Sequence, residues 1–217
     1  MYKTEYICTF VWDFKFKIMG SNANRLRRKW QDYGGSNATI AEHSFYEVFQ
    51  ELFRGTEYVL NTQPTCFNKL YVDVPLSSQE LSEIYTPDSP IIKHGIQPDS
   101  SITNTRTGKT IYVELKRQDG WVEGKPRSAG RGNAHERLCK YFTPGLLKAC
   151  REKGGISEEH FPFWIVFQGD ITRDPCRVRE ITFWFADNKA NYFFWRNTQN
   201  PLTLIEHFEQ YIAPILE

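Results

Sequence analysis

Apolar residues recur along this chain with two periods, and the switch between them marks its elements. From Thr110 to Lys116, Ile111, Val113 and Leu115 alternate with Tyr112, Glu114 and Lys116. That period of two predicts a half-buried strand, with Glu114 and Lys116 on one face and the apolar trio against a core. Ser100 to Thr103 predicts a partner strand, and Thr105-Arg106-Thr107-Gly108-Lys109 the hairpin turn between them. Phe163 to Phe167 is a continuous apolar run, as expected of a strand covered on both faces. Further strands are predicted around Tyr58 to Leu60, Leu70 to Val74 and Ile181 to Ala186.

A helical period appears in Ala41 to Arg54, where Phe45, Val48, Phe49, Leu52 and Phe53 share a stripe. It returns in Pro201 to Leu216 on Leu204, Ile205, Phe208, Ile212 and Ile215, with Pro214 in the last turn. Shorter helices are predicted over Ser77 to Ile84 and Ala134 to Tyr141. Another opens at Thr143-Pro144, an N-cap followed by proline at the first helical position, and ends near Gly154-Gly155. The aromatic cluster Tyr192 to Trp195 is assigned to the core rather than to stacking on bases. This order of elements predicts the α/β class, a mixed central sheet flanked by helices on both faces.

With 40% hydrophobic residues in 217, the chain can bury one good core as a single domain. The formal net charge of +1 hides an uneven distribution. Arg106 to Arg137 carries eight Lys or Arg against four Asp or Glu, whereas Leu70 to Thr105 carries five acids and one lysine. A second basic cluster, Arg25, Arg27, Arg28 and Lys29, is either a clamp for backbone phosphates or a solvated helix face. Five cysteines, an odd number with no CxxC pair, predict reduced thiols in a cytoplasm. No stretch approaches a transmembrane span, and Met1 to Met19 lacks a secretory cleavage site. A cytoplasmic chain without membrane contact is expected.

The chemistry concentrates between residues 98 and 137. Pro98-Asp99 precedes Glu114-Leu115-Lys116, and the predicted hairpin returns the chain so that Asp99 meets Glu114. Two carboxylates at a sheet end, with the Leu115 carbonyl between functional side chains, suit Mg²⁺, which takes oxygen ligands and keeps several waters. Such an ion acidifies a bound water and neutralises charge on a phosphate. Lys116 either orients the attacking water or stabilises the pentavalent phosphorus. A Glu and a Lys two apart on a strand usually form a solvated pair; the strand period and the hairpin are what raise this pair above that.

The segment Ser128 to Arg137 that follows is basic and glycine-rich. Asn133 matches the N6 and N7 edge of adenine. Arg131 and Arg137 match guanine O6 and N7 or an adenine N7, and the Ala134 methyl suits a thymine methyl. Gly130 and Gly132 permit close approach to a groove floor. Asn133 also suits the N-cap of the predicted helix. His135 is assigned either to a phosphate or base or to a helix surface at a dimer interface. Glu42, at the start of the first long helix, is either a further acid near the metal or a first-turn acid favoured by the helix dipole.

Several runs resemble the MunI-like type II restriction endonucleases, the EcoRI/MunI branch of the PD-(D/E)XK nuclease superfamily. They are Glu114 to Lys125, Ser128 to Arg137, Phe142 to Ala149, Pro162 to Thr172 and Arg177 to Trp184. The likeness extends from Met19 to the C-terminus, and the Gly132-Asn133-Ala134-His135-Glu136-Arg137 run is similar to one in the EcoRI enzyme. Lys125-Pro126-Arg127 departs from the pattern just before the reading segment. The resemblance implies a restriction-endonuclease-like fold and a homodimer that, with Mg²⁺, cuts the palindrome CAATTG after its first C, leaving 5′ AATT ends. It implies Asp99 and Glu114 as metal ligands and Lys116 as the catalytic lysine. Asn133, Ala134 and Arg137 would read the inner AATT and Arg131 the outer pair, with a cognate DNA methyltransferase as the functional counterpart.

Residues 1 to 18 find no counterpart in that family, so Met19 is the expected natural start and 19 to 217 the endonuclease domain. The other possibility for the leading segment is a genuine extra strand, since Ile7 to Phe16 is rich in β-formers. Two rival functions are a less specific PD-(D/E)XK nuclease, which would cut at many places, and an inactive sequence-specific DNA-binding protein, which would bind without cutting.

Overall fold

The computed structural model describes residues 44–119 and 135–217. Glu42, the basic cluster Arg25 to Lys29, the leading segment 1–18, and Arg131, Gly132, Asn133 and Ala134 lie outside the described residues.

Five strands form one mixed sheet in sequential order: β1 (Tyr58–Thr62), β2 (Ser100–Asn104), β3 (Thr110–Arg117), β4 (Phe163–Gln168) and β5 (Tyr192–Trp195). β1, β2 and β3 run antiparallel, while β3, β4 and β5 run parallel. The change occurs at β3. A two-strand hairpin needs only a short turn, but parallel neighbours need a crossover. Here the crossover from β3 to β4 passes through a 3-10 helix (Glu136–Phe142) and α3 (Pro144–Gly154), and that from β4 to β5 through α4 (Pro175–Phe185).

Helices cover both faces, as the order of elements predicts. On one face α1 (Ser44–Leu52) and the C-terminal helix meet Ile102, Ile111, Val113, Trp164, Val166 and Trp195. Phe208 is the hub there, its ring lying 5.2–6.0 Å from those of Phe49, Phe53, Tyr58 and Trp164. On the other face Leu138, Tyr141, Leu146, Cys150, Ile181 and Phe185 pack on Tyr112, Phe163, Ile165 and Phe167. β3 is therefore covered on both sides over Ile111 to Glu114, rather than half-buried as its alternation suggests. Alternating polarity here places Glu114 among buried neighbours on a central strand and does not mark exposure to solvent.

Two predicted strands are not strands. Leu70 to Val74 is a run of turns, in which Leu70, Val72 and Val74 donate to the carbonyls of Phe67, Lys69 and Tyr71. Ile181 to Ala186 mostly belongs to α4. Its β-branched and aromatic content favours a strand, but the preceding Asp174-Pro175 decides otherwise. The Asp174 carboxylate caps the Cys176 and Arg177 amides, and Ile181 and Phe185, four apart, are fully buried. The predicted Ala134–Tyr141 helix is the seven-residue 3-10 helix.

The short helix α2 (Ser78–Glu83) is capped by Ser77, which forms a full capping box with Glu80. The C-terminal helix runs as α5 (Leu202–His207), a π turn (Phe208–Ile212) and α6 (Ala213–Leu216). The wide turn stands just before Pro214, where a proline ring would otherwise meet a carbonyl of the preceding turn. Tyr192 to Trp195 is structural, with the Trp195 indole N–H donating to the Asn200 carbonyl at 3.0 Å.

Two stability changes follow. Asp174→Ala removes both N-cap hydrogen bonds of α4 and is expected to cost about 1 kcal/mol in urea unfolding; an unchanged midpoint would mean the cap contributes nothing. The His207 ring stacks on Trp164 at 5.7 Å, and burial lowers its pKa from 6.5 to about 4. The unfolded chain therefore takes up this proton below pH 6.5 while the folded chain resists until about 4. Stability should fall over that window, by on the order of 1–2 kcal/mol, and His207→Gln should flatten the fall. An equal slope in the variant would exclude His207 as its source.

Candidate active site

The β2–β3 register brings the candidate acids together. Ser100 opposes Val113, so Asp99, one residue earlier, stands beside Glu114, one residue later. The Leu115 amide donates to Asp99 Oδ2 at 2.7 Å, which fixes that carboxylate at the strand end. The Asp99 carbonyl accepts from the Gln63 amide at 2.9 Å and from the Tyr46 hydroxyl at 3.1 Å. Asp99 is thus held from Gln63 just after β1, from α1 and from β3.

The Lys116 ammonium pairs with Glu114 Oε2, lies 3.7 Å from Asp99 Oδ2, and donates to the Leu115 carbonyl at 3.4 Å. Three oxygen donors therefore converge on one positive centre. The set is hard, with two carboxylates and one carbonyl, and the lysine ammonium stands where it demands a cation. Such donors fit a small oxygen-seeking divalent ion that completes its shell with water. Among the described residues no cluster of three or more His, Cys, Asp or Glu offers an alternative metal site.

Two tyrosines escaped the sequence reading. Tyr141, from the 3-10 helix, donates its hydroxyl to Glu114 Oε1, and Tyr46 approaches from α1. Burial first, and then the nearby carboxylates Glu114 and Asp99, pushes the Tyr141 phenol far above its ordinary value. Burial and then Asp99 and Glu114 raise Tyr46 in the same direction. Both stay protonated and act as donors. Their only trace in the sequence is spacing: Tyr46 falls four residues after Glu42, and Tyr141 four after Arg137.

Of the predicted DNA-reading residues, Arg137 is described and is exposed on the 3-10 helix. His135, at the head of that helix, is fully buried, so its assignment to a helix surface is corrected. Its ring stacks on Trp184 with centroids 5.4 Å apart, and Nε2 lies 3.2 Å from Arg177 and 3.1 Å from Glu180. Burial, then the Arg177 guanidinium, lowers its pKa. The ring ties the start of the 3-10 helix to α4. Gly169, at φ 80°, lets the turn after β4 close on the end of β3; a Cβ there would meet Asp119 Oδ1 at 2.3 Å and the Gln118 carbonyl at 2.7 Å.

Four described cysteines, Cys66, Cys139, Cys150 and Cys176, are free thiols. No described helix is long and apolar enough to cross a membrane.

Removing the lysine charge tests this electrostatic frame without any catalysis. Lys116→Met leaves Glu114, 4% exposed, without its cation. A loss of about 1–3 kcal/mol in EDTA is expected, and adding Glu114→Gln should recover most of it. Equal urea midpoints for the wild type and the single variant would show that the ammonium does not balance the acids.

The family model described as type II restriction enzyme MunI matches residues 19–217. A curated type II restriction enzyme MunI from Mycoplasma sp is 50% identical over 202 residues, covering 92% of this chain and 100% of that protein. A crystal structure of MunI restriction endonuclease in complex with cognate DNA superposes with a TM-score of 0.74 at 48% identity, covering 86% of this chain and 93% of that one.

Proposed function

Because the chain belongs to the MunI family of type II restriction enzymes, we propose that it cuts double-stranded DNA at the palindrome CAATTG with Mg²⁺ as cofactor. Cleavage falls after the first C and leaves 5′ AATT ends. The observation that carries the chemistry is the convergence of Asp99 Oδ2, Glu114 Oε2 and the Leu115 carbonyl on the Lys116 ammonium. Support for the DNA substrate comes from the relative solved with cognate DNA and from the basic segment Arg106 to Arg137.

Asp99, Glu114 and the Leu115 carbonyl would hold the ion. When bound, Mg²⁺ supplies charge neutralisation at the phosphate and an acidified water. The Leu115 amide and Tyr46 hold Asp99 in place, while Tyr141 holds Glu114. Lys116 contributes a point charge, either to orient the attacking water or to stabilise the pentavalent phosphorus. Asn133, Ala134 and Arg137 read the inner AATT and Arg131 the outer pair, with Gly132 giving the backbone its close approach. A palindrome is matched by a two-fold symmetric reader, so the working unit is a homodimer. An enzyme that cuts so short a site in the cytoplasm needs a cognate methyltransferase to protect the host's own copies.

The test is digestion of a fully sequenced plasmid with Mg²⁺ and sequencing of every end. Ends confined to C/AATTG are expected; scattered ends would move the protein to the less specific nucleases, and no ends to the binding modules. Asp99→Ala should retain the site while losing at least about a hundredfold in rate. Wild-type cleavage by that variant would remove Asp99 from the metal site.

A further inference from the structure

At the end of the sheet that carries the acids, two arginines are held side by side. Because β3, β4 and β5 run parallel, Arg117, Gln168 and Trp195 form one row at that end. Arg196 follows Trp195, and Arg173 closes the short 3-10 turn (Asp170–Arg173) after β4. Arg196 Nε donates to the Thr172 carbonyl at 2.9 Å, and Arg173 Nη2 donates to the Arg196 carbonyl at 3.1 Å. Each side chain is thus tied to backbone at or beside the other residue. The Arg196 guanidinium also lies 5.2 Å from the centre of the Phe194 ring.

These contacts fix both side chains without neutralising either. Each carbonyl takes up one N–H of a group that has about five, and both residues are exposed. Arg54, Arg117 and Arg177 each pair with a carboxylate, but among the described residues no ion pair includes Arg173 or Arg196. Two like charges held this close repel, and an anion placed between them removes the repulsion. A phosphodiester suits the place, since the planar fork of a guanidinium matches phosphate oxygens. The side chains are already ordered, so capturing an anion costs little further rotamer entropy.

The position suits the substrate as well. Lys116 stands opposite Phe167, and Phe167 opposite Phe194, two residues before Arg196. At ordinary sheet spacing that places the Arg196 backbone about 12 Å from that of Lys116. Each strand of a duplex carries one charge per ~3.4 Å of axis. The pair therefore reaches a phosphate a few nucleotides from the one at the acids.

We propose that Arg173 and Arg196 clamp one backbone phosphate of the DNA, a few nucleotides from the scissile bond, whatever the sequence there. The proposal rests on the reading of this chain as a DNA-cutting enzyme. The clamp gives the duplex a second point of attachment and so fixes its register against the end of β3.

The test measures affinity of the full chain for a CAATTG duplex and for one lacking that site, over roughly 50 to 200 mM NaCl. Phosphates of the CAATTG duplex are then replaced singly by neutral methylphosphonates. In the wild type, replacement at one position a few nucleotides from the cut is expected to cost about tenfold. In the double variant Arg173→Gln with Arg196→Gln, that position should become indifferent while the others keep their effect. The slope of log affinity against log salt should flatten by about 0.9, the value of one phosphate, on both duplexes. Lysine at both positions restores the charge and should recover most of the slope.

A double variant with the wild-type slope and the wild-type methylphosphonate pattern overturns the proposal. So does a uniform loss at every phosphate that lysine fails to recover and that tracks a lowered Tm, which marks a role in folding alone. Sedimentation covers the remaining case: a double variant that is monomeric where the wild type is dimeric would assign the pair to an acid of a second copy and exclude the clamp. If the wild-type chain binds neither duplex, the reading as a DNA-cutting enzyme has itself failed. If it cuts CAATTG while the double variant keeps the phosphate pattern, only the clamp is lost.

Discussion

The register between β2 and β3 is the constraint on which the remainder depends. With Ser100 opposite Val113, Asp99 stands beside Glu114, and the Leu115 amide is in place to bind the Asp99 carboxylate. A slip of one residue would turn Glu114 and Lys116 to the opposite face, among Ile102, Trp164 and Phe208. Two apolar faces prevent that slip. Ile111 and Val113 belong to one core and Tyr112 to the other, so no neighbouring register satisfies both.

Holding these acids so closely requires compensation. Glu114 is 4% exposed, and a buried carboxylate without partners is costly. Lys116 provides the opposite charge and Tyr141 a neutral donor, so both carboxylate oxygens are satisfied. Asp99 is more open and depends on a backbone amide as well as the same lysine. The arrangement is stable because it is complete, and it marks where a divalent ion would be welcome. A single ammonium faces two carboxylates and a carbonyl.

Regions of strong local signal were legible in the sequence. The hairpin from Ser100 to Lys116, the buried run Phe163 to Phe167 and the Thr143-Pro144 helix start all appear as expected. Local signals also misled. Ile181 to Ala186 reads as a strand by propensity, but Asp174-Pro175 upstream begins a helix that buries Ile181 and Phe185 on one side. Leu70 to Val74 has strand-like residues, yet its amides are taken up by local turns before any sheet partner can use them. His135 looked like a surface residue because nothing nearby in sequence announces Trp184 or Glu180, more than forty positions on.

The sequence by itself determined the chemistry available at the end of β3. Asp99, Glu114 and Lys116 are set by residue type and by a hairpin whose two arms are close in the chain, so short-range rules suffice. Tertiary structure alone decided which other groups touch them. Tyr46 lies 53 positions from Asp99, and Tyr141 lies 27 from Glu114. Neither tyrosine has a local pattern that announces a partner, because their hydroxyls reach the acids only after helices have packed on opposite faces of the sheet. Periodicity reports which face of an element is apolar; what meets that face depends on how distant segments share one core.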